Sequence, residues 1–419
     1  TNACAGGNTF NGDVDIRNSG SGALYLASTD ADLFNGNATF VVSAAGELVI
    51  AQGSDVHFRK NVTTNGDVAF GPAVPGTMRI VFDGHSQQLF TSDAAYTTRI
   101  HNLTVATTGE GALDLLSTVH VTGDIAFASG FIRPRATTSA DNGLLILENG
   151  ITSSQPAHAT SYVEGYVRKV GDEAFIFPVG YGGVFAPIAI SAPASASDHF
   201  TASYDRQDPS VPSGDPEHDA SLDQVSTCEN WILDRTNGSS AVTVTLSYDA
   251  SRSCGVTDAS RLSVAGWDGS MWMDHGGAAL GTSALGTVMS AAPINDYTEF
   301  TLALSMLRER DPLHPVSNTP EEAVPATGID EHAAEAPDAS VFPNPTTGEA
   351  MVVLHGLEQG PVSITVLDMG GSQVREASRM ARSSNLVAPI SLDGLPAGMY
   401  LVRALQANGR PLEVRVIKQ

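Results

Sequence analysis

A short strand-and-turn unit recurs through the first third of this chain, and that recurrence restricts its folds more than any other feature. Asn11-Gly12-Asp13-Val14-Asp15-Ile16 is echoed by Asn35-Gly36-Asn37-Ala38-Thr39-Phe40. The unit returns as Asn65-Gly66-Asp67-Val68-Ala69-Phe70 and again as Thr122-Gly123-Asp124-Ile125-Ala126-Phe127. Successive offsets are 24, 30 and 57 residues, the last being about two periods. A period of roughly 20 to 30 residues built from short strands predicts a solenoid, in which each coil buries its apolar positions on its neighbours. Further strand candidates lie between the units at 23–26, 47–50, 78–82, 103–105, 113–116 and 144–147. Two or three such strands per period suit a parallel β-helix with Asn-Gly and Gly-rich corners. An antiparallel sandwich built on Asn-Gly hairpins is the competing arrangement. We favour the β-helix because the period exceeds that of a hairpin and the strands rarely come in pairs.

Helical periodicity is almost absent from the rest of the chain as well, so the expected fold class is all-β. Residues 156–305 read as a β-sandwich, with strand candidates at 162–170, 173–179, 185–191, 200–204, 231–235, 241–248, 262–267 and 299–304. The first two of these look like a hairpin around Gly171-Asp172. Trp231, Trp267 and Trp272 all fall in this stretch, and buried tryptophans in a sandwich core are the ordinary reading. A carbohydrate-stacking platform is the less economical one. Residues 306–338 form a linker with Pro312, Pro315, Pro320, Pro325 and Pro337 and a net charge of -6. Proline stiffness and self-repulsion predict an extended segment. The predicted organisation is thus a solenoid over 1–155, a sandwich over 156–305, this linker, and a last module over 339–419.

Charge excludes some functions. The formal charge is -24, and because residues 339–419 carry +1 the acidity resides in the body and linker. Such a polyanion repels phosphate backbones, so nucleic acid is not an expected partner. No run of eighteen apolar residues exists to form a spanning helix. Residues 1–10 have neither the basic cluster nor the apolar run of a signal peptide, which reads as a leader already removed or a piece of something longer. Of three cysteines, Cys228 and Cys254 are the natural pair in an oxidising compartment, closing a loop worth roughly 3 kcal/mol in the chain-entropy model. Cys4 is then the odd thiol.

The last module is the most specific. Val341-Phe342-Pro343-Asn344-Pro345-Thr346-Thr347-Gly348 opens it, and the segment 364–368 with Gly370-Gly371 and Val374 forms its middle. Gly394-Leu395-Pro396-Ala397-Gly398-Met399-Tyr400-Leu401-Val402 follows, and the segment 414–418 ends on the basic Lys418. Pro343 and Pro345 bracket Asn344 and enforce an extended entry. Leu395-Pro396-Ala397-Gly398 is a tight turn that delivers a strand of alternating burial. These residues are enough for a small antiparallel Ig-like sandwich of about seven strands.

In this order, the motifs resemble the type A C-terminal sorting domain of the Bacteroidota type IX secretion system, over about 80 residues. Pro343, Asn344, Pro345, Gly348, Asp368, Gly371, Leu395, Pro396, Gly398, Tyr400 and Lys418 carry the resemblance. Met369 before the glycine pair is a departure, since the family often has a larger polar residue there. The resemblance implies a protein that passes through the periplasm and is recognised at the outer membrane by this domain. It implies as partners the type IX translocon, an outer-membrane shuttle barrel and a sortase-like peptidase. It further implies release to the medium or attachment to anionic lipopolysaccharide; extracellular glycans are a separate expectation for what the body meets outside. The stretch before the linker is similar to segments of large Bacteroidota surface proteins, through Gly165-Tyr166-Val167, Phe177-Pro178-Val179-Gly180, Trp231 and Trp267-Asp268-Gly269.

No motif marks an active site. The eleven histidines are scattered, without a His-Glu-x-x-His or a nucleophile elbow. A β-helix can carry a polysaccharide lyase or hydrolase, for which Arg133 and Arg135 would be the basic pair and Asp114 and Asp124 the acids. On a solenoid such residues are mostly solvated surface. Asp30 with Asp32, and Asp215 with Asp219 and Asp223, form oxygen-rich loops that suit Ca²⁺. Acidic loops are common in so acidic a chain, so no cofactor is expected. The expected function is therefore a secreted or cell-surface structural or adhesive protein rather than an enzyme, with a secreted carbohydrate-active enzyme as the alternative.

Overall fold

The computed structural model describes residues 2–3, 5–43, 45–72, 76–109, 111–152, 157, 160–209, 218–256, 258–306, 338–342, 346, 348–355, 357–358, 360–368, 372–381, 386–406 and 411–418. Cys4, Asp215, nearly all of the 306–338 linker, Pro343, Asn344, Pro345 and Gly371 lie outside them. Every regular element among the described residues is a strand.

The N-terminal region is a parallel β-solenoid with three faces. One sheet stacks Val14–Asn18, Ala38–Val42, Val62–Asn65, Gln88–Thr91, Ala112–Leu115 and Phe131–Pro134, one strand per coil. A second begins with Thr9–Phe10, Asp32–Phe34, Val56–Phe58 and Ile80–Phe82, and a third holds four shorter strands. The pairing is parallel and in register, so each residue lies over its equivalent one coil away. Phe10, Phe34, Phe58 and Phe82 consequently stack down the interior with ring centroids 4.6, 5.1 and 5.6 Å apart. At the corners, Asn35 Nδ2 donates to Asn11 Oδ1 at 2.9 Å and Asn37 N to Asp13 Oδ1 at 2.8 Å, each across 24 residues. These bonds satisfy turn groups that no strand ladder reaches.

Only the first two units, at Asn11 and Asn35, are true repeats. Asn65 pairs with Val41, and the residue stacked on Asn35 is Arg59, whose Nη1 donates to Asn35 Oδ1 at 3.1 Å. Thr122-Gly123 lies inside the strand Val119–Ser129, where the register slips between Ile100 and Asn102. Strand-and-corner chemistry recurs at more than one corner of a coil, which is why unlike positions looked alike.

The second sheet does not stop at the end of the solenoid. It continues in parallel through Leu145–Leu147 to Val167–Val170, then turns antiparallel at His199–Asp205 and proceeds through Asn230–Asn237, Glu299–Ser305 and Leu262–Trp267. Val167–Val170 and Phe175–Phe177 are therefore not a hairpin. Phe175–Phe177 crosses to the facing sheet, where it pairs with Ile188–Ile190. That five-stranded sheet closes a sandwich, and one hydrophobic cluster runs from Leu26 in the solenoid to Leu304 in the sandwich. Trp231 is fully buried, its Nε1 donating to the Ala186 carbonyl at 2.8 Å.

Cys228 and Cys254 are joined, with Cα atoms 5.9 Å apart. Their chain neighbours form a buried polar knot: Glu229 accepts from Arg252 Nη1 and Ser253 Oγ, and from the Tyr204 hydroxyl at 2.9 Å. Burial and the Glu229 charge push the Tyr204 phenol well above its ordinary value. Removing one member leaves the other charge buried and unpaired, which typically costs several kcal/mol. Arg252→Met should therefore lower the unfolding free energy by about 3–5 kcal/mol in guanidinium titration. A loss below about 1 kcal/mol would show that the pair is not desolvated as described.

Candidate functional site

The C-terminal module builds its surfaces from two small antiparallel sheets. Asp338–Phe342, Glu349–His355 and Leu386–Ser391 form one, and Gln373–Ala381, Gly360–Leu367, Gly398–Gln406 and Pro411–Lys418 the other. Val352, Leu354 and Ile390 face Val362, Ile364, Val402 and Val416 to make a core separate from that of the body. Tyr400 belongs to this core, and its hydroxyl donates to the Pro396 carbonyl at 2.7 Å, fixing the turn before its strand.

Those recognised residues that the structure describes gather at one end of the module. Leu395 N donates to the Leu392 carbonyl at 3.1 Å, and Leu392 N to the Gly348 carbonyl at 2.7 Å. A Cβ on Gly348 would stand 1.9 Å from Asp393 Oδ1, so a larger residue there would push that carboxylate aside. Gly398 lies opposite Lys418 on neighbouring strands, and Thr346 bridges to Lys418, its N donating to the Ile417 carbonyl at 2.8 Å. Asp368 closes its own turn by accepting from Ser372 N at 2.9 Å, next to the Leu367–Leu401 pair. These residues act on backbone groups and turns, so the motif describes a shape rather than a catalytic constellation.

The two outer faces have different fates. Met351 and Val353, on the outside of the first sheet, are buried against Ile176, Phe185 and Leu285 of the sandwich. Thr152 Oγ1 adds a hydrogen bond to Asp393 Oδ2 at 2.6 Å. The outside of the second sheet is open and mixes apolar with charged residues in cross-strand pairs: Met399 with Ile417, Leu401 with Arg415, Arg403 with Glu413. Arg403 Nε lies 2.7 Å from Glu413 Oε1, and with Leu367, Leu401 and Arg415 they line a groove of about 460 Å³. Arg379, on the edge strand, is held below the ordinary arginine range by burial.

Residues 340–419 match the family described as Secretion system C-terminal sorting domain. This match supports a type IX secretion C-terminal sorting domain over those residues. Such a domain directs export to the cell surface or the medium, and among the described residues no helix is long and apolar enough to cross a membrane. Comparison with curated proteins gives no match. Among solved structures, the chain is similar to a b-glucuronidase from Ruminococcus gnavus in complex with uronic deoxynojirimycin, at 12% identity, covering 44% of this chain and 39% of that one with a TM-score of 0.12. The same enzyme in complex with uronic isofagomine matches at 12% identity, 44% and 38% coverage, and the same TM-score of 0.12. The chain thus spans about two fifths of those enzymes' length, and a score this low carries no argument about fold or activity.

The other candidate residues do not converge. Asp114 is fully buried and pairs with Arg135 and Gln87 beside the six-stranded sheet, whereas Asp124 pairs with Arg79 on the large sheet. Arg133 is taken by Glu164 at 2.6 Å. Asp32 spends both oxygens on structure, Oδ1 accepting from Asn8 N at 2.9 Å and Oδ2 from Ala27 N at 3.0 Å, while Asp30 lies exposed nearby. Asp219 accepts from Ser221 N in its own turn, and Asp223 pairs with Arg261. Among the described residues no group of three or more His, Cys, Asp or Glu is placed to hold a metal ion.

Sequence reasoning missed the covered face, although a signal existed. Ala350 to Leu354 is an unbroken apolar run rather than an alternation, as expected of a strand buried on both sides. Met351→Asp should release the sorting domain from the sandwich while leaving its own core intact. Small-angle scattering should then report a larger radius of gyration than for the unaltered protein, and an unchanged radius would contradict this docking.

Proposed function

We propose that residues 1–305 are an extracellular structural or adhesive body of a Bacteroidota cell, and that the sorting domain is its address. On this reading the type IX translocon and its shuttle barrel at the outer membrane grip the open face of the four-stranded sheet. The observation that carries the reading is the asymmetry of the two faces. Met351 and Val353 are committed to the body, so the Arg403–Glu413–Arg415 face is the one a receptor can reach. Mixed charged and apolar character, rather than a deep cavity, fits a protein partner. A sortase-like peptidase would then cut upstream of the domain and release the body or join it to anionic lipopolysaccharide. The solenoid carries paired surface charges such as Arg79–Asp124 and Arg133–Glu164, which supports a scaffold that holds or binds extracellular glycans.

Deleting residues 339–419 should leave the body folded and trapped in the periplasm, measured by cell fractionation. Secretion at the unaltered level would overturn the export reading. Arg403→Glu with Arg415→Glu should keep the sorting domain folded by circular dichroism yet cut the secreted fraction at least several-fold. Normal secretion of that variant would move the recognition surface elsewhere.

A further inference from the structure

Lys169 is almost fully buried, a costly position for a lysine, where the solenoid passes into the sandwich. The parallel register Leu145↔Val167 and Leu147↔Lys169, carried two residues on, sets Asn149 against Gly171. Gly171 adopts φ +135° and has no side chain, and three groups crowd the space that a Cβ there would fill. Glu173 Oε2 lies 2.3 Å from that point, Asn149 Oδ1 2.6 Å and Lys169 Nζ 2.7 Å. Glu173 ties Lys169 to the backbone just after Asn149: its Oε2 accepts from Lys169 Nζ at 2.6 Å and its Oε1 from the Gly150 N–H at 2.6 Å. The Lys169 ammonium also donates to the carbonyls of Val170 and, at 3.4 Å, Glu148, and it lies 5.8 Å from the Phe175 ring centre.

We propose that Lys169 and Asn149 form an intramolecular isopeptide bond, with Glu173 as the proton carrier. A buried amine, with a carboxamide and a carboxyl group held beside it, supplies the groups the reaction needs, and proximity supplies much of the rate. Lys169 gives a proton to Glu173 and attacks the Asn149 side-chain carbonyl carbon as a neutral amine. Glu173 hydrogen-bonds the amide oxygen as negative charge builds there. It then passes that proton to the departing nitrogen and takes up the second proton from the Lys169 nitrogen as the new amide forms; ammonia leaves through the exposed side at Asn149 and carries this proton away as ammonium. One C–N bond forms, one breaks, and no oxidant or reductant takes part. Burial pulls the Lys169 amine below its ordinary range, favouring the nucleophilic form, although Glu173, Asp172 and Glu148 oppose this with negative charge. The bond would weld the turn after Leu145–Leu147 to Val167–Val170, the last strand of the parallel ladder.

Mass spectrometry of the intact, reduced full chain tests this directly. The mass should fall short of the sequence mass by one ammonia, and peptide mapping should find a branched peptide joining residues 149 and 169. Asn149→Ala, an exposed substitution that leaves the fold unthreatened, should restore the full mass and give a linear peptide at Lys169. Glu173→Gln should also block the bond. A wild-type chain of full sequence mass would overturn the proposal. Ammonia loss that persists in Lys169→Arg would do so too, because it would mark a succinimide at Asn149-Gly150 instead.

Discussion

In-register parallel stacking is the constraint on which the body depends. Each coil contributes only a few residues to each face, too few to be stable alone. The stack works because like lies on like: Phe34 on Phe10, Phe58 on Phe34, Phe82 on Phe58, with Asn37 hydrogen-bonded to Asp13 at the corner. A slip by one residue would turn that phenylalanine column outward and break the corner bonds together. The same ladder extends from the solenoid into the sandwich through Val167–Val170, so one core serves both regions.

Where parallel pairing ends, the structure concentrates its polar fastenings. Lys169 and Glu173 sit at the change of direction, and Glu229, Arg252 and the Cys228–Cys254 link lie deeper in the sandwich. Parallel coils are held by many equivalent small contacts, whereas an antiparallel sandwich of long-range pairings gains more from a few fixed points. The export module stands apart in this respect. It has its own core and, among the described residues, meets the body through an apolar patch and the Thr152–Asp393 hydrogen bond.

Much of this was legible in the sequence, for physical reasons that differ by region. The solenoid could be inferred because Asn11-Gly12 and Asn35-Gly36 recur at the true coil spacing, yet the later echoes misled because corner chemistry is shared by unlike corners. The export module was legible because its turns use recognisable residues: a glycine packed against the Asp393 carboxylate, and Leu395-Pro396 where Tyr400 reaches a carbonyl. The supposed hairpin at Gly171-Asp172 was misread because alternation shows that a segment is a strand and not which sheet it joins. The pairing of Asp114 with Arg135, and of Asp124 with Arg79, was equally hidden, since it depends on which coil faces which.

The physical separation of address from body has one decisive consequence: the address should work on other cargo. Fusing residues 306–419 to a folded periplasmic reporter and assaying the medium and cell surface measures this directly. The reporter should leave the periplasm in cells with an intact type IX translocon and remain there in cells lacking it. A fusion that stays periplasmic in both would contradict the assignment of export to the C-terminal module.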